Sequence, residues 1–338
     1  MVRCLAMNPA SEERSPPSRE GAVPPTVIAV VVSYNSARDL PACLVSIQAQ
    51  EGVRTEIRVV DNASHDESVA LVRRDFPSAD LIANRENAGF ARANNQAIEP
   101  GAAEFYALVN PDAVLSPGAL AACVEAMRHD AKVGVAATRL INPDGSLQPS
   151  CHSFLGLRNL FGETFGLHRL FPGVRSLSSL DMPWFAHDRV AEVDWIQGAF
   201  LVVRGEVVRV TGAFDPAFFM YGEEMDWCRR IRDAGWKVLF LPAPDVIHIG
   251  GASSAPIAGP MLVERLKGRI LFLRKHRGPI VVTAARALIA MSVLLRFAWR
   301  EVRNLGRKGA GRAPAEPDRL AQTMFRAAMR WVVRGLPV

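Results

Sequence analysis

The sequence lacks the residue patterns that disulfide-bonded and zinc-binding proteins need. Its five cysteines are odd in number, scattered and never spaced as Cys-x-x-Cys; they are Cys4, Cys43, Cys123, Cys151 and Cys228. This pattern argues against a disulfide framework and a cysteine-rich zinc site, and it favours a reducing compartment. The segment 8–25 also lacks the apolar core of a signal peptide, and its Pro, Ser and charged residues predict a disordered lead over residues 1–25.

Glycine is missing where two classes of nucleotide-binding enzyme require it. After the first apolar run, residues 33–40 read SYNSARDL, with neither Gly-x-Gly-x-x-Gly nor a Gly-rich loop that bears Lys or Arg. NAD-dependent dehydrogenases and phosphate-loop nucleotidyltransferases use such loops to bring the backbone close to phosphate groups. The sequence therefore argues against both classes.

The charge is divided unevenly along the 338 residues. Residues 261–338 contain 17 Lys and Arg against 4 Asp and Glu, a net charge of +13, whereas the whole chain has +6. The remainder is therefore acidic. Because 49% of the residues are hydrophobic, that remainder can bury a core. We expect an acidic globular body followed by a basic tail that faces an anionic surface.

Apolar runs alternate with helical patterns from residue 26 onward. The run 26-TVIAVVVSY-34 is continuous and β-branched, as in a strand that is buried on both faces. The same reasoning predicts later strands at 56–64, 79–84, 104–110, 199–204, 236–242 and 245–254, with helices at 37–50, 66–76, 90–99, 117–130 and near 223–230. Short links between them predict an α/β protein with a doubly wound, mostly parallel sheet over residues 26–260, and a loop-rich insertion at 150–190.

Polar, turn-rich segments follow four of the predicted strands. They read 33-SYNS-36, 61-DNAS-64, 84-NRENAGF-90 and 110-NPD-112. Right-handed crossovers bring such strand ends to one edge of the sheet, where these sheets bind ligands. The sequence therefore predicts a ligand site at this edge.

Several side chains at this edge have two interpretations. Asp112 offers hard oxygen to Mg²⁺ or Mn²⁺, or it caps the next helix after a Pro turn. Asp61 accepts from a ribose or a base, or it forms an Asx turn. Tyr34 and Asn35 can contact a base, or they are ordinary turn residues. His248, before 250-GG-251, is a site residue or a satisfied core histidine.

The segment 84–97 holds four asparagines around Gly89. Free N–H groups at a helix start bind anions, and glycine permits close approach. Helix capping explains part of this pattern. It does not explain Asn94 and Asn95, which are poor helix formers inside the predicted helix.

The segment 221-YGEEMDWCRR-230 places three carboxylates in four positions. Asp226 has Arg230 four residues later as an ion-pair partner, and Glu223 suits the positive end of the helix dipole. Glu224 has Trp227 and Cys228 as its helical neighbours, so desolvation should raise its pKa towards the range of a general base. We expect Glu224 to be the reactive carboxylate, with Asp226 as second choice.

Together these segments resemble the family 2 inverting glycosyltransferases with the nucleotide-diphosphosugar transferase fold, called GT-A, and more narrowly a rhamnosyltransferase-like bacterial branch. The resemblance covers about residues 26–255. It is based on 30-VVVSYNS-36, 59-VVDNAS-64, 87-NAGFARANN-95, 108-LVNPDAVL-115, 194-DWIQGAFLVVR-204, 212-GAFDPAFFMYGEEMDWCRR-230 and 248-HIGG-251.

The resemblance implies a role for each matching residue. The donor nucleotide would be bound by Ser33, Tyr34, Asn35, Asp61, Asn87, Gly89, Phe90, Asn94 and Asn110. Asp194, Gly198 and Glu223 would lie near the donor sugar or the acceptor. Asp112 and His248 would hold a divalent metal, Mg²⁺ or Mn²⁺. Asn110 stands where the family has the first Asp of its Asp-x-Asp motif, which leaves one anionic ligand, and Glu224 stands where the family has an Asp as catalytic base.

The implied reaction of this metal-dependent hexosyltransferase is a single in-line displacement. Glu224 would deprotonate the acceptor hydroxyl as it attacks the anomeric carbon, and the metal would stabilise the departing nucleoside diphosphate. The donor would be dTDP-rhamnose or a UDP-sugar, and the acceptor a lipid-linked or polysaccharide glycan of the cell envelope. The alternative is a non-catalytic sugar-nucleotide-binding or membrane adaptor, in which Asn110 and Glu224 mark a degenerate site.

The tail at 261–338 contains two helical patterns. Residues 279–298 approach bilayer-spanning length at ~1.5 Å per residue; because Arg286 interrupts them, a surface-lying or re-entrant helix, or packing on the body, is the alternative to a span. Residues 317–336 predict a basic amphipathic helix. Its basic face has Arg319, Arg326, Arg330 and Arg334, and its apolar face has Leu320, Met324, Ala328 and Trp331. We expect a cytoplasmic protein that is peripheral on the inner face of the cytoplasmic membrane, without a nucleic-acid partner.

Overall fold

The computed structural model describes residues 26–171, 173–174, 180–250, 258–309 and 316–336. The lead predicted at 1–25 and the last residues of the strand predicted at 245–254 lie outside these ranges. The strands are β1 Thr26–Ser33, β2 Arg54–Asp61, β3 Asp80–Ala83, β4 Phe105–Val109, β5 Ala113–Leu115, β6 Val133–Ile141, β7 Leu147–Gln148, β8 Cys151–His152, β9 Ala191–Glu192, β10 Trp195–Ile196, β11 Phe200–Arg204 and β12 Lys237–His248. The helices are α1 Leu40–Gln48, α2 Ser68–Asp75, α3 Phe90–Ala97, α4 Ala119–His129, α5 Leu157–Thr164, α6 Leu167–Leu170, α7 Gly205–Thr211, α8 Glu223–Asp233, α9 Ala258–His276, α10 Pro279–Gly309 and α11 Glu316–Val333.

The body is one mixed sheet with helices on both faces. Its strand order is β3-β2-β1-β4-β11-β6-β12-β5, with β7 on β6 and β9 on β12. The predicted parallel arrangement is confirmed for β3-β2-β1-β4 and for β6 with β12. Strand β11 runs antiparallel to both β4 and β6. A five-residue apolar run looks the same in either direction, so only the path of the chain through residues 142–199 determines that reversal.

Strand β1 shows why a doubly covered sheet forms. Its apolar side chains alternate between two cores: Ile28, Val30 and Val32 belong to one, and Val27, Ala29 and Val31 to the other. Successive side chains of a strand point to opposite faces. A continuous apolar run is therefore stable only where helices cover both faces.

Two local predictions differ from the structure. The strands predicted at 236–242 and 245–254 form one strand, β12, which changes register on β6 between Leu241 and Val246. Asp112 does not cap a helix. A short strand, β5, follows it, and α4 begins only at Ala119 after Gly118. The interpretation of Asp112 as a helix cap is thus wrong.

The C-terminal helices pack on the body and on one another. Helix α9 touches the body at the turn before α8, where a Cβ on Gly268 would collide with the carbonyl of Tyr221. Helix α11 buries Ala328 and Trp331 and packs mainly on α9. Two residues of the apolar face predicted for residues 317–336, Ala328 and Trp331, are therefore used inside the protein.

Helix α10 differs from its neighbours because its apolar side chains remain largely uncovered. It contacts α5, α9 and α11, and Arg286 donates a hydrogen bond to the carbonyl of Gly335. Among the described residues, the segment Pro279–Arg303 alone is long and apolar enough to cross a membrane by length and composition, and 17% of its most apolar window is buried.

Candidate active site

A cavity of about 720 Å³ opens at the predicted edge of the sheet. Ten of the residues expected at a site line this cavity; they are Tyr34, Asn87, Gly89, Phe90, Asn110, Asp112, Gly198, Glu223, Glu224 and His248. Six others do not line it; they are Ser33, Asn35, Asp61, Asn94, Asp194 and Asp226. The volume is typical of sites that bury a small-molecule ligand.

Asp112 and His248 lie together at the β5 end of the cavity. Asp112 Oδ1 is 3.3 Å from His248 Nε2, and the amide nitrogen of Asn110 is 3.2 Å from the same atom. On the far side of the ring, His248 Nδ1 lies 2.6 Å from Gln148 Oε1. Because the amide nitrogen of Gln148 already donates to Asn142 Oδ1 and to the carbonyl of His248, its Oε1 must accept. Nδ1 therefore carries a hydrogen, and Nε2 is the ring nitrogen that lies next to Asp112 and Asn110.

This pair fits one divalent cation. Ligand atoms at 2.0–2.2 Å from a metal, roughly at right angles, lie about 3 Å apart, close to the separation of Oδ1 and Nε2. Burial raises the pKa of Asp112, but the hydrogen bond and charge of His248 and the Gly250 N–H outweigh it, so the pKa is lowered overall. In the described part of the chain, no group of three or more His, Cys, Asp or Glu side chains is arranged so that it could hold a metal ion. The remaining ligands would therefore come from a bound diphosphate and from water.

Asn62 organises the adjoining part of the cavity and is a residue that the sequence analysis did not single out. Its side-chain nitrogen donates to Asn87 Oδ1 at 2.8 Å, and its oxygen accepts from Ala88 N–H at 2.9 Å. It is buried and lines the cavity. The sequence feature that could have identified Asn62 as a site residue was its position between Asp61 and the turn that leads into α2.

Three predicted nucleotide residues lie just behind this cavity surface. Asp61 Oδ1 accepts from Ser64 N–H at 2.9 Å, which is an Asx turn. Asp61 Oδ2 and Ser33 Oγ are buried and have no hydrogen-bond partner among the described residues. Asn35 has a positive φ of 51° and its Oδ1 accepts from His65 N–H at 2.8 Å. An unpaired buried carboxylate oxygen is costly, which is consistent with an acceptor that awaits a ligand.

Asn95 of α3 holds the loop before α8, whereas Asn94 does not. Asn95 donates to the carbonyl of Phe214 at 2.8 Å and accepts from Phe214 N–H at 3.0 Å. Asn94 instead donates to the carbonyl of Phe90, within its own helix. At Gly89, with φ 84°, a Cβ would stand 2.6 Å from the carbonyl of Phe219. The α3 start therefore serves the docking of residues 214–219 as well as the cavity.

Glu224 lies over Gly198 in the middle of the cavity. The N–H of Gly198 donates to Glu224 Oε1 at 3.1 Å, and a Cβ at position 198 would stand 2.6 Å from that oxygen. Tyr221 and Gly222, with φ values of 70° and 103°, make the sharp turn that starts α8. This turn aims the first residues of the helix into the cavity.

The two adjacent glutamates differ in their surroundings. Burial, followed by the charge of Glu224, raises the pKa of Glu223 well above its ordinary value, and Glu223 Oε2 has no partner among the described residues. Burial also raises the pKa of Glu224, against the opposing Gly198 N–H and the nearby His152. This confirms the predicted direction for Glu224. The two carboxyls influence each other, so an added proton belongs to the pair and not to one residue; the Gly198 N–H on Oε1 is the contact that distinguishes Glu224.

Asp226 faces away from the cavity and joins α8 to α9. It is fully buried; its Oδ2 is 2.9 Å from Arg230, and its Oδ1 is 2.7 Å from Lys275 and 2.8 Å from His276. Both oxygens are thus occupied. Asp194 is likewise engaged, by Arg232 and by Phe154 N–H. The geometry gives both carboxylates structural partners.

Replacing Asp226 by Asn should lower the free energy of unfolding by about 3–5 kcal/mol, because removing one charge from a buried cluster leaves its partners uncompensated. Urea denaturation followed by circular dichroism measures the loss. Asp233→Asn is the matched control, since Asp233 pairs with Arg229 on the exposed side of the same helix and should cost about 1 kcal/mol or less. Equal losses would contradict the cluster role, and a stable but inactive Asp226→Asn protein would move the base from Glu224 to Asp226.

Another part of the cavity lining was not predicted from the sequence. His152 stacks on Trp195 with ring centroids 4.2 Å apart, and its Nδ1 is 3.2 Å from Asp181 Oδ1. Arg265 and Arg269 of α9 line the cavity on the same side. Trp195 belongs to the quoted segment 194–204, whereas His152, Asp181 and the two arginines come from the irregular insertion and from the tail, where no quoted motif marks them.

The comparison with protein families agrees with the resemblance described above. The family model described as glycosyl transferase family 2 matches residues 28–178. An N-acetylglucosaminyl-diphospho-decaprenol L-rhamnosyltransferase of Mycobacterium tuberculosis is 26% identical over 275 residues, which are 74% of this chain and 84% of that protein. The rhamnosyltransferase WbbL of Escherichia coli is 35% identical over 86 residues, which are 25% of this chain and 32% of that protein.

Solved structures give the fold independently. The mannosyltransferase PcManGT from Pyrobaculum calidifontis, in complex with GDP-Man and Mn²⁺, superposes with a TM-score of 0.54, covering 93% of this chain and 88% of that one. Because the identity is 18%, this likeness establishes the fold alone. That fold is GT-A, as the sequence predicted.

Proposed function

We propose that this chain, which is a glycosyltransferase of the family 2 type with the GT-A fold, transfers a sugar from a nucleoside-diphosphate donor to a lipid-linked or polysaccharide acceptor with inversion at the anomeric carbon. One observation supports the proposal most. A carboxylate with a raised pKa, Glu224, faces the same cavity as the Asp112–His248 pair. A base and a cation site within one cavity are what a single displacement of a nucleoside diphosphate needs.

The donor nucleotide is assigned to the edge formed by the ends of β1, β2 and β4. Tyr34 and Asn87 line the cavity there, and the free Oδ2 of Asp61 is an acceptor for a base N–H. Asn62 keeps Asn87 and the turn before α3 in position. Ser33, Asn35 and Asn94 support this surface from behind, which is a more indirect role than the resemblance implied.

Asp112 Oδ1 and His248 Nε2 are the ligands proposed for Mg²⁺ or Mn²⁺. Gln148 fixes the ring of His248 through Nδ1, as partners of metal-binding histidines do. When bound, such a cation stabilises the negative charge that develops on a leaving diphosphate. Asn110 contributes a neutral amide where the family has a carboxylate, so the protein supplies one anionic ligand.

Glu224 is the proposed base. The Gly198 N–H holds Oε1 in place, and the raised pKa brings the carboxylate closer to that of an efficient proton acceptor. Glu223 lies beside it, and its Oε2 has no hydrogen-bond partner among the described residues. The acceptor hydroxyl loses its proton to Glu224 as its oxygen bonds to the anomeric carbon, and the bond to the diphosphate oxygen breaks.

A rhamnosyl donor and a diphospholipid acceptor are supported by the relatives. Both relatives named above are rhamnosyltransferases by description, and the mycobacterial one is named for a decaprenol-linked acceptor. Association with the inner face of the membrane fits such an acceptor. The structural support for this association is an exposed apolar stripe on α10. It consists of Met291, Leu295, Trp299 and Val302, which follow one another at helical spacing.

Calorimetric titration of UDP, dTDP and GDP, each with and without Mn²⁺, tests the proposed function. We expect one nucleotide to bind with an affinity that Mn²⁺ increases by about tenfold or more, which is 1.4 kcal/mol. Magnesium with the same nucleotide provides the comparison between cations. If none of the three nucleotides binds in either condition, the transferase proposal is wrong.

A further inference from the structure

Helix α9 forms one side of the cavity with three side chains spaced by four residues. Met261, Arg265 and Arg269 all line the cavity, and residues four apart lie on one face of a helix. The close packing of Gly268 against Tyr221 holds α9 beside the turn before α8. Two guanidinium groups are therefore fixed on the side of the cavity where α8 begins.

The two arginines differ in their partners. Arg269 Nη1 is 2.8 Å from Glu163 Oε2 of α5, and both side chains are about four-fifths buried. Arg265 makes no hydrogen bond or ion pair with another described residue. Its surroundings are crowded by protein, which lowers the pKa of its guanidinium; Arg269 adds to this effect, while Asp181 opposes it. Arginine nevertheless keeps its charge.

The nearby acidic groups already have their own partners. Glu163 pairs with Arg269. The hydrogen bond from His152 lowers the pKa of Asp181, with Arg265 and Arg269 adding to the effect. This leaves a positive charge on Arg265 that faces the cavity. Arg265 is an exposed residue of the cavity lining, so an anion that enters the cavity can reach its guanidinium without displacing a protein partner.

An anion bound on the α9 side of the cavity would be a different group from the donor diphosphate. The donor diphosphate is assigned to Asp112 and His248, on β12 and the turn before β5. Arg265 and Arg269 lie on α9, in the company of Asp181 and Tyr221. Glu224 lines the same cavity as both groups. A second phosphate-bearing substrate on the α9 side would therefore share with the donor the cavity into which Glu224 projects.

We propose that Arg265 and Arg269 bind the phosphate or diphosphate of the acceptor and so place its hydroxyl beside Glu224. This assignment rests on the proposed function and names the acceptor class of the same site. The planar guanidinium group binds phosphate oxygens in pairs, and Met261 offers an apolar contact to the first carbons of a lipid. The subsite lies in α9, beyond the residues 28–178 that the family model matches.

Titration with farnesyl diphosphate tests this subsite while the donor half is filled with UDP, dTDP or GDP, whichever binds, and Mn²⁺. Arg265→Gln should weaken the binding of farnesyl diphosphate by about tenfold to a hundredfold, the range for losing hydrogen bonds to a charged group. The affinity of Arg265→Lys should lie between those of the wild type and Arg265→Gln. The matched control is Lys267→Gln, because Lys267 lies on the same helix, pairs with Glu264 and does not line the cavity. All variants should keep the wild-type melting temperature within a few degrees.

Two further probes separate the sources of the anion. Inorganic pyrophosphate has the phosphates without the chain, and farnesol has the chain without the phosphates. Tighter binding of farnesyl diphosphate than of pyrophosphate assigns the subsite to a lipid acceptor, whereas equal binding assigns it to a soluble phosphorylated acceptor. Farnesol that binds as well as farnesyl diphosphate overturns the proposal.

The remaining outcomes distinguish the subsite from the function. If Arg265→Gln binds farnesyl diphosphate like the wild type, the phosphate subsite is wrong although the transferase stands. If the variant instead loses nucleoside diphosphate, the arginines serve the donor and the proposal is overturned. Failure of the wild type to bind any nucleotide refutes the proposed function, and the farnesyl diphosphate titration without nucleotide then decides the subsite by itself.

Discussion

Glu224→Gln is expected to abolish sugar transfer while leaving donor binding intact. The amide keeps the size of the side chain and can remain over Gly198, but it cannot accept the proton of the acceptor hydroxyl. Removing a general base lowers kcat by about 10²–10⁴. Single-turnover rates with a radiolabelled donor measure the loss, and calorimetry with the nucleoside diphosphate checks that the affinity stays within about twofold.

The neighbouring Glu223→Gln is the comparison that makes this result specific. Because the Gly198 N–H holds Glu224 and not Glu223, the amide at position 223 leaves the proposed base in place, and most of the turnover should remain. The wild type should also lose activity as the pH falls through the pKa of Glu224, which burial raises above that of an ordinary glutamate. The acid limb of the rate profile should therefore lie at higher pH than an exposed glutamate would give. Retained turnover in Glu224→Gln, with loss in Glu223→Gln, would exchange the two roles.

Asp112→Asn should remove the increase that Mn²⁺ brings to nucleoside-diphosphate binding. The variant replaces the single anionic ligand of the proposed site with a neutral amide, next to the amide that Asn110 already supplies. The expected loss of metal affinity exceeds the tenfold to hundredfold that follows from disturbing a partner of a metal ligand. Calorimetry with and without Mn²⁺ measures it directly.

Two further variants provide comparisons for the effect of Asp112→Asn on metal affinity. Gln148→Ala removes the acceptor that orients His248, so it should cost about tenfold to a hundredfold in metal affinity. Asp144→Asn makes the same chemical change at an exposed carboxylate whose partner is Ser146, and it should bind like the wild type. If Asp112→Asn keeps the full effect of Mn²⁺, then Asp112 and His248 do not form the metal site.

The ligand site at the strand ends could be predicted from the sequence alone. Strand ends 33–36, 61–64, 84–90 and 110–112 were expected to meet at one edge, and at least one member of each contributes to the cavity or to the network just behind it. This succeeded because β1, β2 and β4 are parallel neighbours in matched register. In such a sheet, the position of a residue at a strand end determines the edge to which it belongs.

The individual roles were less accessible from sequence. Asp226 and Glu224 differ by two positions in one acidic segment, and the pattern of residues ranks them only by their helical neighbours. The tertiary structure separates them, because α9 brings Lys275 and His276 to Asp226 and β11 brings the turn at Gly198 to Glu224. Asn94 and Asn95 were correctly marked as unusual in a helix. The reason for Asn95 is its hydrogen bond to Phe214, which lies 119 residues away in sequence.

The sequence by itself determined that this is an α/β protein with a polar site at the strand ends, because strand alternation and turn residues are local properties of the chain. It also located the acidic segment that supplies Glu224. Only the tertiary structure decided which carboxylates face the cavity, how β11 reverses direction, and that α9 closes one side with Arg265 and Arg269. Those features depend on contacts between segments far apart in the chain, and no local pattern encodes them.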